Sequence, residues 1–238
     1  GGGASSSPPV AVAAAVQLVC LLFGVTRNFL KFGFESAMVV VYDRQFYFSE
    51  GAAGVLAGCC AMTTVLSLYL YRVVCVRRCS SYHLLLFAEA MGLLAAACMV
   101  ATGWLHDAPL SLAHAASLTH ADAPPPLPAL SLTLVASLLF YPAMYFGAAI
   151  GNSHPLQYAI AGHPLLSRSS MVAQQEILQT TVGKGLGMVL VRVALGDPPR
   201  VASLGELFGV LMSAQAVLLS LGWDPLATSR KLRAWSLR

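Results

Sequence analysis

Charge is what this 238-residue sequence has least of. Asp, Glu, Lys and Arg make up only 10% of it, whereas a soluble domain carries about 25% of these residues. Hydrophobic residues account for 57%, and the mean hydropathy is +0.71. The apolar residues stand in long blocks, not in the ten-residue alternating segments typical of transmembrane β-strands. The composition therefore predicts an all-α integral membrane protein embedded in a lipid bilayer.

Catalytic and metal-binding motifs are also missing. The sequence contains no HExxH, no GxSxG and no Asp/His cluster inside an apolar block, so we do not expect an enzyme. Cys75 and Cys79 are not spaced as C-x2-C and no second pair follows, which argues against zinc. The six histidines are scattered. No metal and no cofactor are expected.

Six apolar blocks are long enough to cross a hydrocarbon core about 30 Å thick, which takes roughly 20 helical residues. They lie near 13–41, 52–71, 83–105, 129–150, 171–195 and 201–221. We therefore predict a polytopic domain of six transmembrane helices over residues 13–223. Residues 1–12, rich in Gly and Ser, are expected to form a flexible linker with further sequence upstream, and residues 224–238 a basic cytoplasmic tail.

Basic residues orient the predicted bundle. If both termini are cytoplasmic, the inner loops and tail hold eight basic residues: Arg72, Arg77, Arg78, Arg168, Arg230, Lys231, Arg233 and Arg238. The outer loops hold two, Arg44 and Arg200. This bias follows the positive-inside rule and agrees with an even number of spans. Topology thus explains the net charge of +4, and no nucleic-acid partner is needed.

Three ionisable residues interrupt the first apolar block. Arg27, Lys31 and Glu35 are spaced four apart, which keeps them within roughly 80° of one helix face at about 100° per residue. Charges at bilayer depth cost several kcal/mol by insertion scales and usually face a protein interior or a water-filled path. This polar stripe predicts the interior of a transporter or a channel.

The fifth block contains a second group of polar residues. Lys184 falls near its centre, Glu176 lies about two turns closer to the cytoplasm, and Gln175 adds to a polar inner half. A lysine at this depth needs a partner, and a carboxylate across the bundle such as Glu35 is the natural candidate. Arg192 and Glu89 lie near block ends, where snorkelling to the interface is the simpler expectation.

Further candidates for the wall of a solute path are polar or aromatic. Asn28, Gln175, Tyr141 and Tyr145 are expected to offer hydrogen bonds there. The alternative for all the deep charges is a structural one, because a buried ion pair can simply fix the register between helices.

Taken together, the pattern resembles the C-terminal six-helix half of a major facilitator superfamily transporter. The resemblance rests on six spans with both ends inside and on three segments, NFLKFGFESAMVVVY, YRVVCVRRCSSYHLL and QQEILQTTVGKGLG. It implies that the first and fourth spans line a central cavity, that the second and fifth flank it, and that the third and sixth face lipid. It also implies a partner, namely an N-terminal six-helix half in the same longer chain or in a second copy.

The expected function is therefore transport of a small solute or ion by alternating access, in which two halves rock around a midplane site. Glu35 is the candidate for proton or cation coupling. Lys31, Arg27 and Lys184 are candidates for pairing with it or for holding an anionic substrate. A channel lined by the same stripe, and a scaffold or fragment that transports nothing, remain as alternatives.

Overall fold

The computed structural model describes the backbone of residues 10–75, 81–115, 127–151, 173, 176–196 and 200–220. Side chains are described for 22–73, 83–105, 127–146, 173, 176–178, 180–196 and 200–217. Over these residues the fold is all-helical. The α-helices are α1 (Val10–Arg44), α2 (Glu50–Leu70), α3 (Ser81–Ala115), α4 (Leu127–Gly151), α5 (Gly185–Leu195) and α6 (Val201–Ser220). Two π-helical segments, π1 (Tyr71–Cys75) and π2 (Ile177–Lys184), continue α2 and precede α5.

Each predicted apolar block is helical where the structure describes it, and the helix bounds refine the expected ones. α1 begins at Val10, inside the predicted linker, and α3 continues to Ala115, ten residues beyond the expected end at residue 105. The fifth block is not a regular α-helix, because π2 forms its inner half. The expected basic tail, 224–238, lies outside the described residues.

Three helical segments are long and apolar enough to cross a membrane: Glu50–Val73, His83–Leu105 and Leu127–Phe146. In α6, Val201–Val217 is also apolar but shorter. α1 has the length of a span but carries Arg27, Lys31 and Glu35. The described part of the chain therefore has the character of a membrane-embedded helical protein.

Aromatic side chains form the centre of the bundle. The Phe34 ring of α1 stacks on the Phe140 ring of α4 at a centroid distance of 4.2 Å, and Phe140 stacks on Phe208 of α6 at 5.1 Å. All three are fully buried. Aromatic pairs at such separations stabilise packing beyond the area they bury. This cluster fixes α1, α4 and α6 around a single core.

Glycines bring α1 and the fifth helical segment (177–195) unusually close. A Cβ added at Gly183 would lie 2.9 Å from the Val25 carbonyl oxygen, and one at Gly187 would lie 2.6 Å from that of Phe29. A Cβ at Gly33 would meet Val191. The contacts advance by four residues on both helices in the same direction, so the two helices run parallel. Small residues allow this backbone approach in membrane helices.

Candidate functional site

The charged residues of α1 lie in two environments, one buried inside the bundle and one open to the surface. Arg27 lies in the buried environment. Its guanidinium forms an ion pair with Glu89 of α3, and both side chains are at most 2% exposed. Arg27 Nη1 also donates to the Ala143 carbonyl of α4 at 3.0 Å, and the guanidinium lies 5.0 Å from the centre of the Phe23 ring. Arg27 therefore links α1, α3 and α4 inside the bundle, away from any open surface.

The burial of Glu89 corrects the expectation that it snorkels to the interface. Its position near the end of the predicted span was correct, but α3 turns the carboxylate inward against Arg27. The resemblance also implies that the third span faces lipid, whereas the Glu89 side of α3 is packed inside the bundle. The pair is not fully satisfied, because Arg27 Nε and Glu89 Oε2 have no hydrogen-bond partner among the described residues.

Lys31 and Glu35 lie in the open environment, together with Tyr145 of α4, Lys184 of π2 and the Phe32 ring between them. We call these five residues the open cluster. Lys31 Nζ lies 4.1 Å from the centre of the Tyr145 ring and 4.9 Å from that of Phe32. Lys184 Nζ lies 5.0 Å from the Phe32 ring centre. The Tyr145 hydroxyl donates to Glu35 Oε1 at 3.3 Å.

The open cluster differs from the expected arrangement in its pairing. Glu35 and Lys184 form no salt bridge; Glu35 accepts from Tyr145, and Lys184 rests on an aromatic ring. Lys31 and Glu35 are half-buried, and Lys184 is exposed. Cation–π contacts within about 6 Å stabilise an ammonium group but leave its N–H donors available. Arg27–Glu89 is the one ion pair among the described side chains. Lys31 and Lys184 therefore carry charge without a carboxylate partner among them.

The other predicted site residues lie around this cluster or outside it. Asn28 is half-buried, and a Cβ at Gly183 would lie 3.0 Å from its Cβ, which places it at the contact of α1 with π2. Tyr141 is only 3% exposed and packs edge-on against Phe34, so it belongs to the aromatic core. Glu176 is exposed and accepts a 3.4 Å hydrogen bond from Thr180 Oγ1. Gln175 lies outside the described residues.

A cavity of about 600 Å³ lies between α1 and α5, and its lining begins one residue beyond Glu35 on α1 and one turn beyond Lys184. Ser36, Val40 and Arg44 of α1 line one wall, and Met188 and Arg192 of α5 line the opposite one. The sequence analysis treated Arg44 only as a loop charge and Arg192 as a snorkelling residue. Arg44 follows Phe32 by twelve residues and Arg192 follows Lys184 by eight. These multiples of four put each pair on one inclined ridge of its helix, and this was the signal that would have connected them.

Within the described parts of the chain, no three His, Cys, Asp or Glu side chains are close enough together to hold a metal ion. No protein-family model matches the chain, and neither the curated proteins nor the solved structures contain a significant match. The function is therefore argued from the geometry of the open cluster.

Proposed function

We propose that the protein is a secondary transporter of the facilitator type, and that the open cluster binds its solute. The observation that carries the proposal is the contrast between the two charge environments. In a purely structural network we would expect the charges to be buried and paired with each other, as Arg27 and Glu89 are. The open cluster instead keeps two lysines and one carboxylate partly exposed on helices of apolar character. Ionisable groups placed in this way mark substrate and ion pathways in membrane proteins.

In this proposal the chain supplies one six-helix unit, and a second unit completes the solute path. The second unit comes from the same longer chain or from a second copy. Large apolar side chains of α2 (Val55, Met62 and Tyr69) and of the fifth helical segment (Val189 and Val193) are more than 60% exposed. These faces suit burial against lipid or against the second unit. Facilitators rock two such units around a midplane site.

Glu35 is the proposed proton-coupling residue. The groups that face it are the Tyr145 hydroxyl from α4, Lys31 one turn earlier on α1, and Tyr141, which also lies within electrostatic range from α4. With Glu35 ionised the open cluster carries a net charge of +1, and with Glu35 protonated it carries +2. Proton binding and solute binding at one site are thereby linked through charge.

The test is transport by the full protein in proteoliposomes. Succinate, glucose and glycine are added outside, and a pH-sensitive dye inside records solute-dependent proton entry, with uptake of the radiolabelled solutes measured in parallel. We expect Lys184→Met to abolish uptake and Glu35→Gln to remove its pH dependence. Glu206→Gln, which removes an exposed carboxylate of α6 away from the cluster, is the matched control and should behave as the wild type.

Two results would reject the proposal. If Glu35→Gln and Lys184→Met leave transport and its pH dependence unchanged, the open cluster has no part in transport. If flux is insensitive to solute on the opposite side and single-channel currents are seen, the protein is a channel. Alternating access instead predicts acceleration of uptake by solute loaded inside.

A further inference from the structure

Arg44 of α1 lies on one of two facing ridges, and Lys184 and Arg192 of the fifth helical segment lie on the other. On α1 the i, i+4 ridge is Phe32, Ser36, Val40 and Arg44; on the fifth segment it is Lys184, Met188 and Arg192. The two helices are parallel, and the Lys184 ammonium reaches up to the Phe32 ring. Residues higher on both ridges line the same cavity of about 600 Å³. The cavity therefore begins one turn beyond Phe32 and Lys184, at Ser36 and Met188, and extends toward the C-terminal ends of α1 and α5.

Positive charge stands in the upper wall of this cavity and again below its lower end. Lys184 lies one turn before Met188, the first residue of the fifth segment that lines the cavity. Arg192, eight residues beyond Lys184, is about 12 Å higher at 1.5 Å per residue. Arg44 lies in the last turn of α1 and Arg192 in the last turn of α5. No acidic side chain lines the cavity, since its described walls carry Ser36, the two arginines and aliphatic residues. Neither arginine forms an ion pair with a described residue.

We infer that the transported solute is a small anion, and that the cavity guides it from the outer side to Lys31 and Lys184. This inference rests on the proposed function and specifies its substrate class, a carboxylate or phosphate compound. The positive charges of Arg44, Arg192 and Lys184 attract the anion. A cleft that is lined by charges of one sign and has apolar walls raises the local concentration of an oppositely charged solute by about 10-fold or more. At the open cluster the lysine N–H groups exchange their aromatic contacts for the anion.

The first experiment measures the charge preference of the cavity without requiring transport. In the full protein with its native cysteines replaced, Ser36→Cys places one thiol on the cavity wall. Its labelling rate is compared for an anionic reagent, 2-sulfonatoethyl methanethiosulfonate, and a cationic one, 2-(trimethylammonium)ethyl methanethiosulfonate. We expect the anionic reagent to react about tenfold faster relative to free cysteine, and this preference to weaken in Arg192→Gln and Arg44→Gln. Both arginines are exposed, so folding is checked by gel-filtration elution.

A second measurement identifies the chemistry of the anion. Succinate, inorganic phosphate, neutral succinamide and cationic putrescine are tested for slowing the labelling of Ser36→Cys. Protection by succinate indicates a carboxylate solute, and protection by phosphate indicates a phosphate compound. Equal reaction with both reagents, or protection by putrescine, would overturn the inference even if solute uptake is found. An anion-selective cavity without any uptake would instead support the anion site and reject the transport function.

Discussion

The close approach of α1 and the fifth helical segment yields a graded prediction at three glycines. At Gly187, an alanine Cβ would lie 2.6 Å from the Phe29 carbonyl oxygen, 0.8 Å short of an ordinary contact at 3.4 Å. At Gly183 the shortfall from the Val25 oxygen is 0.5 Å. At Gly185 nothing lies within 4 Å. The opposing atoms are backbone, so the helices themselves must separate.

Overpacking of this kind costs typically about 1–3 kcal/mol, whereas replacing a helical glycine with alanine gains up to about 1 kcal/mol in an open position. We therefore expect Gly187→Ala to lower the free energy of unfolding by about 1–2 kcal/mol, Gly183→Ala to lower it less, and Gly185→Ala to leave it unchanged or raise it. Thermal unfolding of the purified protein in detergent, followed by gel filtration of the soluble fraction, measures the order. If Gly187→Ala unfolds at or above the temperature of Gly185→Ala, the parallel glycine contact is refuted.

Three further results are expected. Glu89→Ala should lower the free energy of unfolding by about 3–5 kcal/mol, because it leaves Arg27 buried without its counter-charge. The double variant Arg27→Met, Glu89→Leu should be near neutral. Equal losses of unfolding free energy for the two variants, measured by chemical unfolding, would contradict this. Tyr145→Phe keeps the ring below the Lys31 ammonium and removes the hydrogen bond to Glu35, so solute uptake should persist with altered pH dependence, and an unchanged pH profile would argue against proton coupling. Tyr42→Phe removes a 2.9 Å hydrogen bond to Ser137 and should cost about 1 kcal/mol in the same unfolding assay.

The sequence predicted the helical character of the fold, because long apolar blocks favour helices in a membrane. Of the six predicted spans, three are long and apolar enough to cross a membrane among the described residues. The sequence also placed Arg27, Lys31 and Glu35 on one side of α1, since the four-residue spacing is a property of a single helix. It failed where the answer depends on a second helix. The partner of Arg27 is Glu89, and Glu35 bonds to Tyr145. The spacing of residues within α3 does not indicate which side of α3 packs against α1. Glu89, near the predicted end of its span, was therefore interpreted as an interfacial residue.

The π-helical start of the fifth segment was likewise not predicted. Its residues, ILQTTVGK, include two β-branched threonines and a glycine, which weaken the preference for a regular α-helix. Segments of this type are short and often found at functional positions. In this protein Lys184 is the last residue of π2, and its ammonium lies 5.0 Å from the centre of the Phe32 ring.

The Arg27 interactions have a consequence for how the bundle can move. At one depth, Arg27 holds α3 through Glu89 and α4 through the Ala143 carbonyl, and the Gly183 contact holds π2 against α1 at the same level. Three helical segments are thus joined to α1 at one level. We therefore expect these four segments to move together as one piece. In the proposed transport cycle, spectroscopic distance labels on α1 and α3 should therefore report a constant separation. Labels placed on this bundle and on the proposed second unit should record the motion.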